Sequence, residues 1–189
     1  MVANATQTVA RQAQPAQAGV SRSINDVVQH IMEYPMSHVV AKFAEKHDIA
    51  SDVAQEYEKE LKRYFVLTTL NPQYDYGMAG PVDDLWHEFI LYTREYHVFC
   101  QQCVGRYLHH FPERMYDANA KGDNVESNDT VEWYGKFLTD YTVLFGEKPP
   151  AHVWPDIRSF PAATMSLCRA CGTDPGGPDD PDPSDPDPV

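Results

Sequence analysis

Seven residues of one stretch have the types and spacing that chemistry requires. The stretch is Pro81–Pro112, PVDDLWHEFILYTREYHVFCQQCVGRYLHHFP. Cys100 and Cys103 form a C-x-x-C pair, and His109 and His110 follow six and seven residues after Cys103. Thiolate and imidazole are the donors Zn²⁺ prefers, so two cysteines with one or both histidines would make a four-ligand site. Thiols spaced i, i+3 share one side of a helix end, and Gly105 permits the chain reversal that returns an imidazole to them. The opposing expectation is packing, because free cysteine is among the most buried residue types. A second candidate lies at the start of the stretch, in Asp83, Trp86 and His87. Asp83 and His87 are four apart, neighbours on a helix surface. The carboxylate would orient the imidazole, as an outer-shell partner does for a metal-bound histidine, or the two would form a plain surface pair. Trp86 adds bulk that excludes water.

Other chemistries lack their signatures. The chain has no nucleophile-elbow G-x-S-x-G, no phosphate-binding glycine loop, no dinucleotide fingerprint and no H-E-x-x-H; after His87-Glu88, position 91 is Leu91. A redox C-x-x-C normally opens a helix, where the dipole lowers the thiol pKa. Cys100 stands at the opposite end. Cys168 and Cys171 form another C-x-x-C, but 64 residues lie between the pairs. A usual second zinc knuckle follows after roughly 15–20. His87 and Cys100 are 13 residues apart, roughly 20 Å along a straight helix, and cannot share an ion unless the helix breaks between them.

Helices must position these residues. Ser23 caps a first helix to Tyr34, with Asp26 in a variant capping box. A short helix runs over residues 37–46 with a Val39, Val40, Phe43, Ala44 stripe. A longer one, capped by Ser51, spans about 52–70 with Val53, Tyr57, Leu61, Tyr64, Phe65 and Thr68 on one face. Its Glu58, Glu60, Lys62 and Arg63 read as a solvated surface. The central helix starts at Pro81, with Asp83 and Asp84 favoured by the positive end of its dipole, and runs to about Val104. Leu85, Phe89, Tyr92, Thr93, Tyr96, Cys100 and Cys103 share its core face. Residues 113–128 read as a surface loop. A last helix covers about 130–145, and an extended segment follows with Trp154 as an anchor. No strand pattern appears. The fold class is all-α, a compact bundle of about five helices. Residues 1–22 read as a disordered leader, 23–165 as one helical domain and 166–189 as a disordered Cys/Gly/Pro/Asp tail.

Charge narrows the partners. The net charge is -13, and six aspartates lie between Asp174 and Val189, leaving -7 for the rest. Such a chain repels phosphate backbones and anionic membrane surfaces, so neither nucleic acid nor membrane is expected as a partner. The acidic tail is the expected contact for a protein partner. No run is long and apolar enough for a membrane span and no secretory signal is visible, so a cytoplasmic protein is expected.

The pattern resembles the glycine-rich domain-containing protein-like family of bacteria and plants. The resemblance rests on Val82-Asp83-x-x-Trp86-His87, on Tyr92-Thr93-x-x-Tyr96-x-x-x-Cys100 and on Gly105-x-x-Leu108-His109-His110-x-Pro112. It continues in Tyr141-x-x-x-Phe145-Gly146-x-x-Pro149-Pro150 and Val153-Trp154-Pro155, covering roughly residues 35–158. It implies a fold and candidate residues but no established activity. The expectation is a non-catalytic metal-binding or protein-interaction helical module, with zinc as the possible cofactor. The alternative is a small metal- or thiol-dependent enzyme using Trp86–Pro112.

Overall fold

The computed structural model describes residues 22–78, 80–112, 125–156 and 168–171. Among the described residues six α-helices carry the fold: α1 Ile24–Met32, α2 Ser37–His47, α3 Ser51–Leu70, α4 Pro81–Leu91, α5 Thr93–Phe99 and α6 Val125–Phe145. A π-turn, Cys100–Val104, follows α5 directly. The architecture is predominantly all-α, as the apolar periodicities require. The leader up to Ser21 and the acidic tail from Asp174 lie outside the described residues.

Local chemistry sets several helix ends. At α1 the Ser23 hydroxyl accepts from the Asp26 N–H, and the Asp26 carboxylate accepts from the Ser23 N–H, so two orphan donors are satisfied reciprocally. At α3 the cap is Ala50, not Ser51; the Ser51 hydroxyl instead accepts from the Gln55 side chain. α6 begins at Val125, several residues before the expected start near Thr130, so part of the expected surface loop is helix.

α3 is the inner helix, and α1, α2, α4 and α6 all pack against it. Leu61, Tyr64, Phe65, Val66 and Leu67 are all buried there. That enclosure overturns the reading of its charged residues as surface. Glu60 is 1% exposed and Lys62 6%. Lys62 Nζ donates to the Met32 carbonyl at 3.2 Å and to Glu58 at 2.6 Å. Glu60 accepts from the Trp154 indole at 2.8 Å and the Tyr141 hydroxyl at 2.9 Å. Trp154, itself 2% exposed, thereby ties the segment after α6 to the core.

The expected single helix from Pro81 to Val104 is two helices and a π-turn. Tyr92 leaves helical conformation, at φ -83° and ψ 57°. Core packing explains the break. Trp86 Nε1 donates to the Tyr96 hydroxyl at 3.2 Å, and the Phe89 and Phe99 rings lie 5.4 Å apart, centroid to centroid. Ten residues on a straight helix rise about 15 Å, so neither contact forms unless α5 turns back on α4. No proline or glycine marks the position.

Among the described residues three short strands form an antiparallel sheet, which the sequence pattern did not reveal. β1 is Gly77–Met78, β2 His109–Pro112 and β3 Cys168–Cys171, in the order β1-β3-β2. His110 pairs with Ala170 and His109 with Cys171, while Met78 pairs with Cys168. The segment Cys168–Cys171, expected to belong to an unstructured tail, is thus the middle strand. Strands of two to four residues are too short to show a period of two, and β3 lies far along the chain from both partners.

Candidate metal centre

Asp83 sits in the first turn of α4. The chain enters that helix through Gly80, at φ 85° and ψ -163°, and then Pro81 at the first helical position. A carboxylate there is favoured by the helix dipole. Asp83 is nonetheless 3% exposed, so it needs partners. His87 follows one turn later on the same side. Its Nδ1 lies 3.8 Å from Asp83 Oδ2, and its side chain is 44% exposed. The second imidazole comes from β2: His110 Nε2 is 2.9 Å from Asp83 Oδ1, and that side chain is 4% exposed. The His87 and His110 rings are 4.3 Å apart between centroids.

A chain of contacts places His110. Gly105, at φ 87°, ends the π-turn, its N–H donating to the Cys100 carbonyl at 2.7 Å. Arg106 Nη2 then donates to the Thr68 carbonyl of α3 at 2.7 Å. The Tyr96 hydroxyl, which accepts from the Trp86 indole, donates to the Leu108 carbonyl at 2.5 Å. Burial holds the Tyr96 phenol far above its ordinary range, so it stays a donor. Trp86 also meets the His110 ring edge-on, with centroids 4.4 Å apart. Trp86 therefore walls the site and, through Tyr96, fixes the chain two residues before His110.

Among the described residues, one group of three or more His, Cys, Asp or Glu side chains has its ligand atoms mutually within 4.8 Å: Asp83, His87 and His110. Zn²⁺ with bonds of about 2.0–2.1 Å sets tetrahedral ligand atoms roughly 3.3 Å apart. The three ligand atoms lie within 4.8 Å of one another; the 2.9 Å contact from His110 is a hydrogen bond to Oδ1, while His87 lies 3.8 Å from the other oxygen, Oδ2. Two imidazoles and a carboxylate suit a divalent transition metal.

The four-ligand set Cys100, Cys103, His109 and His110 is not assembled. The Cys100 thiol is buried, bonded to the Leu108 backbone and the Tyr96 side chain. Cys103 Sγ faces the His30 carbonyl of α1 at 3.5 Å. His109 is exposed, with Tyr107 beside its ring at 4.9 Å between centroids. His110 goes to Asp83. Two causes separate these residues. The π-turn widens the backbone between the cysteines, and neighbouring strand positions such as His109 and His110 take opposite faces. The second C-x-x-C, Cys168–Cys171, forms the strand β3.

Burial pushes the Cys100 thiol up to about 11, although the Leu108 and Tyr96 hydrogen bonds pull it down. Cys103 is also raised, again by burial first. Neither is an activated nucleophile. Sequence reasoning paired Asp83 with His87 but missed His110 as their partner. The usable signal was the adjacent pair His109-His110 in a short strand, where only one imidazole can face the helices.

The architecture defines a helical domain with a two-histidine, one-carboxylate cluster at the junction of α4 and β2. The chain belongs to the UCP032817-like family, whose model matches residues 26–129. This corrects the resemblance to the glycine-rich domain-containing protein-like family. The Trp86-His87 and Gly105–Pro112 motifs on which that resemblance leaned lie inside the matched span of the other family. No curated protein and no solved structure matches the chain. No helix among the described residues is long and apolar enough to cross a membrane.

Proposed function

We propose that this chain is a metal-binding helical module that holds one divalent transition-metal ion, zinc, between Asp83, His87 and His110. The observation supporting it most strongly is the buried Asp83 carboxylate set between two imidazoles from separate elements. A buried carboxylate needs partners, and here two imidazoles from separate elements converge on it. The chain's net charge of -13 favours a cation and disfavours nucleic acid. Its acidic tail remains the proposed contact for a protein partner.

The half-exposed His87 favours a second reading, a metal-dependent enzyme, because three protein ligands leave a coordination position open toward solvent. The thiol-dependent alternative loses support from the burial of Cys100.

Metal analysis tests the proposal. Purified chain, stripped with chelator and reloaded with Zn²⁺, is expected to retain about one equivalent, and His110→Ala and Asp83→Ala are expected to lose it. Stoichiometric zinc retained by both variants, or none retained by the parent chain, sinks the reading.

A further inference from the structure

We infer that β3, Cys168–Cys171, is the element that sets the metal affinity of the Asp83–His87–His110 cluster, by holding β2 so that His110 is presented to α4. The inference rests on the metal-binding proposal for its ligand and on backbone pairing for its mechanism.

His110 is the one member of the cluster outside α4. Asp83 and His87 are placed relative to each other by their helix, whatever happens elsewhere. His110 depends on how β2 lies. Among the described residues β2 has a single strand neighbour, β3, and their register runs over the whole of His109–Pro112. Ala170 is the position opposite His110. The other edge of β3 pairs with β1, whose Met78 is fully buried. β1 lies just before Gly80 and Pro81, the entry to α4. β3 therefore bridges the two chain segments that bring the ligands in, the approach to Asp83 and the strand of His110.

Upstream, Tyr96 and Trp86 fix the chain at Leu108, two residues short of the ligand. Beyond that point the ladder to β3 supplies the restraint on direction. Such supporting contacts around a metal ligand commonly change affinity by about 10–100-fold when removed. Coupling is reciprocal: an ion bound between α4 and β2 stabilises the sheet that β3 completes, so metal occupancy favours the paired state of the C-terminal strand.

Two full-chain variants test this, Arg169→Pro and Ala170→Pro. Successive residues of a middle strand direct their backbone groups to opposite sides, so only one of the two loses a backbone bond toward β2. Zinc affinity is measured by competition with a chromophoric chelator, helix content by circular dichroism, and amide exchange at His110 and Phe111 by mass or NMR. The expected result is a helix signal like the parent's, faster exchange at whichever of the His110 and Phe111 amides points toward β3, and zinc affinity about tenfold or more weaker in the variant that loses the β2 bond. Affinity within about twofold of the parent in both variants overturns the role assigned to β3. Open-chain exchange rates at both of these amides in the metal-free parent overturn the strand pairing itself. Absence of His110-dependent zinc binding in the parent sinks the metal reading instead, and the exchange rates still decide whether β3 holds β2.

Discussion

Cys100 and Asp83 are both buried ionisable side chains, with different surroundings. Cys100 is enclosed by aromatic rings and the Leu108 backbone, and its neutral thiol is the form that environment favours. Asp83 is equally enclosed, but imidazoles stand on two sides of it. A cysteine with a raised pKa is a poor nucleophile, so the peptide carrying Cys100 should stay unmodified when native chain is treated with iodoacetamide near pH 7 and mapped by mass. Rapid alkylation there would contradict the burial described. The same shift has a pH consequence. The folded-state thiol is raised above its unfolded value, so its contribution to stability is complete below about pH 8.5 and is lost as pH rises toward about 11. Denaturation midpoints should fall across that window, and fall less steeply in Cys100→Ala.

Among the elements, the entry to α4 is the most constrained. Gly80 combines φ 85° with ψ -163°, a region essentially closed to side chains, and a Cβ there would meet the Val153 carbonyl oxygen at 3.0 Å. Gly105 has φ 87° and ψ 2°, but a Cβ there would meet nothing within 4 Å. Gly80→Ala should therefore cost about 2–3 kcal/mol and Gly105→Ala about 1 kcal/mol, by urea denaturation. Equal costs, or the reverse order, would show that backbone strain does not control the entry. Helix positions were largely legible in the sequence because their apolar stripes repeat locally. The break at Tyr92 was not, because its cause is the meeting of Trp86 with Tyr96 and Phe89 with Phe99 across ten residues.

In the molecule as a whole, Glu60 joins the inner helix to the C-terminal side of the bundle. Its carboxylate accepts from Trp154 and Tyr141, and Arg63 reaches it at 3.3 Å while also pairing with Glu147 at 2.6 Å. Glu60→Ala leaves two buried donors without an acceptor, each costing about 1–3 kcal/mol. A loss of about 3 kcal/mol is expected, with Glu60→Gln milder because its amide oxygen still accepts one bond. A loss under about 1 kcal/mol for Glu60→Ala would return this residue to the surface role its sequence context suggested.

The sequence by itself determined the helical class, the capping box at Ser23, the apolar stripes and the stretch that carries the cluster, because each follows from residues within a turn or two of one another. It also paired Asp83 with His87, which share a helix face. Tertiary structure decided which imidazole joins them. Asp83 and His110 are 27 residues apart, and their meeting depends on the break at Tyr92, the reversal at Gly105 and the register of a four-residue strand. It likewise decided that Glu60 is buried, since a charged residue on a helix is surface only where no neighbour covers it. Local periodicity encodes which face of an element is apolar; it does not encode which other element closes over the remaining faces.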